Sequence, residues 1–291
     1  MAVEKIKCGG KVNLFLKAER LREDGFHDIA TLFYPFSTPA DILTIDFDAA
    51  PGIKVSSSDP ALPVDGDNLA GRAAARFAEK SGIAPSWNIF IEKKLPVAAG
   101  VGGGSANAGK VLVLLNRHYR ALNDDQMLDI AASLGSDVPL FLYDTAMIGR
   151  SRGEVLEKAP ELPELPLLLV NPGFPITARY AYTHIPAENR CPDSENNLGK
   201  LIEALRQNDL QMAAKFMLND LEIALFAKFP LLAIFREKLE DLGALKVIVS
   251  GSGSSLVAMY PDRETLSAAQ KKFVEKFPEA KCWALERQES K

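Results

Sequence analysis

A run of four glycines within five positions constrains this chain more than any other feature; it lies in Leu95-Pro96-Val97-Ala98-Ala99-Gly100-Val101-Gly102-Gly103-Gly104-Ser105-Ala106-Asn107-Ala108. Such a run frees the backbone for positive φ and lets a bulky ligand approach the main chain, at an entropic cost that no ordinary turn requires. Downstream, Ala108, Val111, Leu112, Leu115, Tyr119 and Leu122 recur at helical spacing. The glycines therefore open a helix whose first unpaired N–H groups and positive dipole end face the loop. That arrangement predicts an anion site, with phosphate as its ligand.

Two common phosphate-binding patterns do not fit. A G-x-G-x-x-G is absent, because the completing position is Ser105 counted from Gly100 and Asn107 counted from Gly102. Residues 104–111 approach a P-loop, but Val111 stands where a hydroxyl would bind the metal, and Lys110 falls a turn inside the helix.

At 291 residues the chain has room for one large or two ordinary domains with a substantial core. Its net charge of −4 argues against nucleic acid as a partner, since such surfaces are ordinarily strongly basic. Cys8, Cys191 and Cys282 are odd in number, far apart and not at metal-ligand spacing, and read as reduced thiols of a cytoplasmic protein. The first seven residues lack an apolar core of signal-peptide length and no run approaches a membrane span, so no membrane partner is expected.

Taken in order, residues 11–17 alternate, with Val12, Leu14 and Leu16 on one face and Lys11, Asn13, Phe15 and Lys17 on the other. A turn at Arg22-Glu23-Asp24-Gly25 leads through Phe26-His27 to a second strand that ends near Pro35, and Leu43, Ile45 and Phe47 alternate in a third. Asn68 precedes a helix over 69–80 stopped by Gly82, and a short strand over 87–91 leads into Lys93-Lys94-Leu95-Pro96. Asn123 caps a helix closed by Gly135, just before Ser136-Asp137-Val138-Pro139. The Pro- and Glu-rich passage 160–166 is the best candidate for a boundary between domains 1–160 and 161–291. Beyond it come a strand over 167–170, amphipathic helices to Leu242, strands over 244–249 and 256–260 flanking Ser250-Gly251-Ser252-Gly253-Ser254-Ser255, a helix over 263–277 and a last strand over 282–285.

Each candidate residue has an ordinary explanation on its own. Lys11 is a solvated strand lysine, Asp137 a helix cap ahead of proline, the 251–255 segment a hairpin loop and His27 a turn-side surface residue. Their combination points elsewhere. In phosphoryl transfer backbone N–H groups and Mg²⁺ position the polyphosphate while a carboxylate receives the hydroxyl proton, and a phosphate loop, a second Gly-Ser loop, a lysine and an aspartate supply those parts. No H-R-D or D-F-G of protein kinases occurs.

Residues 96–108 resemble the second motif of the GHMP kinases, the superfamily of galactokinase, homoserine kinase, mevalonate kinase and phosphomevalonate kinase, and Ser250-Gly251-Ser252-Gly253 resembles its third. Within it, Lys11-Val12-Asn13-Leu14-Phe15-Leu16, Asp24-Gly25-Phe26-His27, Thr31-Leu32-Phe33, Asn107-Ala108 and Leu134-Gly135-Ser136-Asp137-Val138-Pro139 are similar in order and spacing to the branch acting on 4-diphosphocytidyl-2-C-methyl-D-erythritol. The resemblance spans nearly the whole chain. It implies an α+β fold of two domains, ribosomal-S5-like then ferredoxin-like. It also implies a kinase that uses ATP with Mg²⁺ to phosphorylate the 2-hydroxyl of that substrate in the non-mevalonate route to isoprenoid precursors.

The same resemblance implies roles. Asp137 would be the base and Lys11 the cation that keeps base and hydroxyl in register. Pro96, Gly100, Gly102, Gly103, Gly104 and Ser105 would surround the ATP phosphates, with Asn68 and Lys94 near its nucleoside. Asn13, Asp24, Gly251 and Ser252 would meet the substrate, and His27 with Phe26 its cytosine, with Tyr180 or Tyr182 as the second aromatic. Gly10, Ala106, Gly109 and Phe26 depart from the residues usual in that branch, without removing a reacting group. The rival readings are another GHMP small-molecule kinase, of mevalonate or homoserine type, and a catalytically idle nucleotide-binding module on the same fold.

Overall fold

Apolar alternation carries the first strands much further than a short run would suggest in the computed structural model, which describes residues 3–60, 62–63, 66–143, 145–185 and 194–287. Strands β1 (Val3–Leu21) and β2 (His27–Asp46) form one long antiparallel ladder, from Val3 opposite Asp46 to Leu21 opposite His27. The expected break near Pro35 does not occur, and Leu43 and Ile45 belong to the same strand. Pro35 faces Lys11 of β1, while on its other side no strand among the described residues pairs with it, so its missing N–H removes no ladder bond to them.

A register shift between Asn13 and Phe15 corrects the expected face assignment. The extra residue, Leu14, inverts the alternation. Lys11 and Asn13 therefore share a cavity wall with Leu16 and Ala18, whereas Lys17 turns away, its Nζ 2.8 Å from Asp220 Oδ2.

The chain continues through β3 (Gly52–Ser57), α1 (Leu69–Ser81), β4 (Ser86–Glu92), α2 (Gly103–Tyr119) and α3 (Asp124–Leu134). Asn68 caps α1 through Ala70 N–H and Gly82 ends it in the left-handed region, while Asn123 and Gln126 form a capping box on α3. Gly135, by contrast, is extended (φ 166°) and makes no left-handed cap. The three helices bury Phe77, Leu112, Leu115 and Ile130 against Trp87, Leu43 and Ile89 of the sheet. A 3₁₀ turn, Pro139–Leu142, then leads to β5 (Met147–Arg150) and β6 (Val155–Lys158), four-residue strands too short for alternation to reveal.

After 160–166 come β7 (Leu167–Asn171), α4 (Ala178–Thr183), α5 (Ser194–Arg206), α6 (Leu210–Phe216), β8 (Leu218–Asn219), α7 (Glu222–Lys228) and α8 (Pro230–Asp241). The chain ends with β9 (Lys246–Val249), β10 (Leu256–Met259), α9 (Arg263–Lys276), β11 (Lys281–Ala284) and β12 (Glu286–Arg287). Among the described residues the first sheet runs β3-β4-β2-β1-β8, with β5, β6 and β12 attached through β2, and the second is antiparallel in the order β11-β7-β10-β9. Phe235, Leu239 and Phe273 of the helices cover one face of the second sheet. Its other face shares a core with the first, where Leu169, Val257 and Met259 meet Val12, Leu14 and Phe15. Cys8 and Cys282 are free thiols, burial pushing each up to about 12, and Cys191 lies outside the described residues.

Glu222, at the start of α7, accepts a bond from Val249 N–H at 2.8 Å and lies 3.8 Å from Arg236. Burial raises its carboxyl to about 7, so the unfolded chain ionises first as pH rises and stability is lost between about 4.5 and 7. We expect Glu222→Gln to gain about 1–3 kcal/mol relative to wild type at pH 8 and little at pH 4.5. Paired thermal melts at the two pH values check this; a difference independent of pH would contradict it.

Candidate active site

The glycine loop is tied down by its carbonyls. Ala98 O accepts from Ile176 N–H, Ala99 O from Ser255 N–H, Gly100 O from the Ser250 hydroxyl and Val101 O from Lys11 N–H, at 3.0–3.2 Å. Four consecutive carbonyls thus point into protein. The first helical bond of α2 is Ala106 N–H to Gly102 O, which leaves the N–H groups of Gly103, Gly104 and Ser105 ahead of it at the positive end of the helix. Positive φ is required at Gly100 (77°) and Gly102 (70°), but not at Gly103, which is already helical. The special conformation lies in the approach to the helix, upstream of where the glycines cluster. At Gly100 a Cβ would stand 1.9 Å from Ser250 O, so the two Gly-Ser loops meet there without space for a side chain.

One buried carboxylate fixes both ends of this loop. Asp41 of β2 accepts from Lys93 Nζ (2.6 Å), the N–H groups of Lys94 (2.8 Å) and Leu95 (2.9 Å), and Asn107 Nδ2 (3.0 Å). Lys93, so anchored, lines the cavity within 3.4 Å of where a Gly103 Cβ would be.

The cavity in front of the loop measures about 1340 Å³. That exceeds the roughly 300–1,000 Å³ usual for one ligand, and leaves room for two substrates side by side. Lys11 is buried, donates to Asn13 Oδ1 at 2.8 Å and lies 3.6 Å from Asp137 Oδ2. Asn13 in turn donates to Thr31 Oγ1 (2.8 Å), whose hydroxyl donates to Phe15 O (2.6 Å), so the ammonium sits at the head of a fixed chain of bonds. Asp137 caps no helix: Val138 occupies the capping position of the 3₁₀ turn, with no side-chain bond. Phe141 of that turn packs against Gly109 and Gly102, where Cβ atoms would lie 2.7 and 3.0 Å from its side chain, and this fixes Asp137 relative to α2. Gly251 closes over the pair, since a Cβ there would be 2.9 Å from Lys11 Nζ, and Ser252 lines the same wall. Asn219 holds that second loop by donating to Val249 O and Gly251 O at 2.7 and 2.8 Å.

Beyond Asp137 the cavity becomes aromatic. Tyr182 lies 6.2 Å from His27, ring to ring, at 29°, and its hydroxyl is raised by burial and then by the charge of Asp137. Nδ1 of His27 is buried with no partner among the described residues. Phe26 is 53% exposed at the rim, with the Arg152 guanidinium 5.3 Å from its ring, and Asp24 lies beside it, accepting Phe26 N–H at 3.1 Å. Asp24 is held below the usual carboxylate range by that bond.

Three expected residues stand elsewhere. Asn68 spends its side chain on the α1 cap and on Pro63 O, and is buried away from the cavity wall. Lys94 points out to Glu92, at 3.1 Å. Tyr180 stacks on His184 at 4.2 Å and against Phe229, so of the two tyrosines Tyr182 is the one in the cavity. Pro96, Ser105 and the remaining loop residues named above do line it. Asp41, Lys93 and Arg152 were not legible as site residues. The alternation of β4 continued through Ile91, Glu92 and Lys93 was the available signal that Lys93, rather than Lys94, follows Ile91 inward. Among the described residues no group of three His, Cys, Asp or Glu is placed to bind a metal ion, and no helix is long and apolar enough to cross a membrane.

Known proteins share this architecture. Residues 68–145 match the GHMP kinases N terminal domain and residues 201–279 the GHMP kinases C terminal family. A 4-diphosphocytidyl-2-C-methyl-D-erythritol kinase of Syntrophomonas wolfei is 32% identical over 94% of this chain and 95% of its own. That of Moorella thermoacetica is 33% identical over 96% and 98%. A crystal structure of a 4-(cytidine 5'-diphospho)-2C-methyl-D-erythritol kinase, 32% identical, superposes with a TM-score of 0.83 over 97% of this chain and 98% of its own. Homoserine kinase from Cytophaga hutchinsonii, 20% identical, shares the fold at a TM-score of 0.80 over 99% of this chain and 96% of its own.

Gly104 separates folding from ligand approach, because its φ is helical and a Cβ there meets nothing nearer than 3.8 Å. We expect Gly104→Ala to raise stability by about 0.5–1 kcal/mol, as an ordinary helical Gly→Ala change does, while weakening ATP binding several-fold by crowding the free N–H groups. Melting and calorimetric titration with ATP check both signs; unchanged ATP affinity would remove the loop as the phosphate cradle.

Proposed function

The chain belongs to the GHMP kinases, in the family of 4-diphosphocytidyl-2-C-methyl-D-erythritol kinases, and we propose that it transfers the γ-phosphoryl group of ATP to the 2-hydroxyl of that cytidine-linked substrate. Lys11 and Asp137, 3.6 Å apart between the phosphate loop and the His27–Tyr182 end, carry this reading, because a hydroxyl placed there meets a base on one side and a phosphate on the other. Their presence as a pair argues against an idle nucleotide-binding module.

The mechanism follows from the positions. Asp137 accepts the hydroxyl proton as the oxygen attacks phosphorus, and Lys11 keeps the carboxylate and the oxygen in register. With Asp137 about a third exposed, the pair itself is worth about 1 kcal/mol or less; substrate that displaces the water strengthens it. N–H groups at the start of α2 and the ammonium of Lys93 face the charge that grows on the phosphates.

Mg²⁺ is part of the same proposal. With no cage of three acidic or imidazole ligands among the described residues, the site fits an ion carried on the nucleotide and completed by one or two protein oxygens, for which Ser105 and Asp137 line the cavity. Bound there, it would neutralise β- and γ-phosphate charge. The division into 1–160 and 161–291 and a cytoplasmic location, supported by the free Cys8 and Cys282, complete the reading.

At the far end, the buried Nδ1 of His27, which has no partner among the described residues, is available to a ligand group. Cytosine offers an amino donor beside ring acceptors, which suits an imidazole and the backbone polar groups around it, and Tyr182 or Phe26 supplies stacking surface worth about 1–3 kcal/mol per base.

Two outcomes test the assignment. We expect Asp137→Asn to keep ATP binding while kcat falls by about 10²–10⁴; turnover within a few-fold of wild type would exclude Asp137 as base. We expect His27→Ala to lose about 10–100-fold in kcat/KM on the cytidine substrate, and little on a uridine analogue or in KM for ATP. A wild type indifferent to the base would favour another GHMP kinase activity.

A further inference from the structure

Arg22 does not line the cavity, yet its guanidinium reaches both of the turns that form the cavity's far end. Nε donates to both oxygens of Asp24 at 3.2 Å, and NH1 to Asp28 Oδ1 at 3.0 Å and to the Ser151 hydroxyl at 2.9 Å. Asp24 passes the constraint to Phe26 through its N–H, at 3.1 Å. Ser151 passes it the other way: its hydroxyl donates to Glu154 Oε1 at 3.2 Å, and Glu154 accepts the N–H and Nε of Arg152 at 2.8 and 3.3 Å. One planar cation thus links the β1–β2 turn, which carries Asp24, Phe26 and His27, to the β5–β6 turn, which carries Arg152.

Neither turn needs this side chain to form. Arg22 N–H bonds Phe26 O at 2.7 Å and Gly25 N–H bonds Arg22 O at 3.1 Å, while Ile29 N–H bonds Ser151 O at 2.7 Å and joins the two turns through backbone alone. Ion pairs at a third exposure add little to stability. What the backbone bonds leave free is the tilt of one turn against the other, which sets the distance between His27 with Phe26 and Arg152.

We propose that Arg22 is a positioning residue for the nucleobase end of the site, acting through Asp24 on Phe26 and His27 and through Ser151 and Glu154 on Arg152. The role rests on the cytidine reading above. It requires the fork of the guanidinium, whose separated Nε and NH1 reach Asp24 on one side and Asp28 with Ser151 on the other, while a lysine carries its three donors on one nitrogen and cannot span the two.

Steady-state kinetics on Arg22→Met, Arg22→Lys and Ser151→Ala, with calorimetric titration of cytidine 5'-diphosphate, test it. For Arg22→Met we expect KM for the cytidine substrate and Kd for cytidine 5'-diphosphate to rise about tenfold, with Arg22→Lys restoring little of the loss. Ser151→Ala, which removes the hydroxyl that joins Arg22 to Glu154 and leaves the backbone bond to Ile29, should raise both about threefold. Throughout, kcat and KM for ATP should stay within about twofold and the melting temperature within about 2 °C. Unchanged cytidine affinity in a folded Arg22→Met, or in Ser151→Ala should Arg22→Met fail to fold, would overturn the role. Full rescue by lysine, or a matching rise in KM for ATP, would do the same. Wild type that binds no cytidine 5'-diphosphate would instead overturn the cytidine reading, and this role with it.

Discussion

The carboxylate of Asp41 is the constraint on which the site depends. It is fully buried, and an isolated charge in that position would cost several kcal/mol. Four donors offset this, and they come from both sides of the glycine loop: Lys93, Lys94 and Leu95 before it and Asn107 after it. A glycine-rich segment loses about 1–2 kcal/mol of backbone entropy per residue when ordered, and closing its two ends on one carboxylate limits the conformations it must give up. The same contact delivers Lys93 to the cavity. The first strand ladder, the loop and its helix are thereby one unit.

A second constraint comes from the other sheet. Carbonyls of the loop bond to Ile176, Ser250 and Ser255, so the glycine loop is held in place by residues far along the chain. Asn219 and the buried Lys17–Asp220 pair support the junction, the latter where Ala18 N–H also bonds Asp220 at 3.0 Å. Burial raises the Asp220 carboxyl and Lys17 opposes that rise, which fits a contact that registers β1 against β8 rather than one that adds much stability. The bulge at Leu14 finishes the arrangement by turning Lys17 to this junction while Lys11 and Asn13 face the cavity.

Much of this was legible in sequence. The helix starts at Asn68 and Asn123, the glycine-opened helix and the hairpin around Gly251 follow from local chemistry that acts within a few residues, and the structure bears them out. The errors came where distant residues decide. A bulge is set by pairing across strands, so the face of Phe15 and Lys17 could not be read from alternation alone. Pro35 looked like a strand end because whether its missing N–H matters depends on which neighbour lies beside it. Lys93 and Lys94 are adjacent, and although alternation carried on from Ile91 points to Lys93, nothing local reveals its buried partner Asp41, more than fifty residues away. Tyr180 and Tyr182 sit on a six-residue helix whose orientation is fixed by Phe229 and His184.

The most direct measurement is ³¹P NMR of the reaction of the wild-type protein with ATP, Mg²⁺ and 4-diphosphocytidyl-2-C-methyl-D-erythritol. We expect one new phosphomonoester signal coupled to carbon 2 of the polyol, the diphosphate of the substrate intact, and ADP in equal amount. ADP without that monoester, or transfer to mevalonate or homoserine in its place, would contradict the assignment of Lys11, Asp137 and His27 to one cytidine-linked substrate.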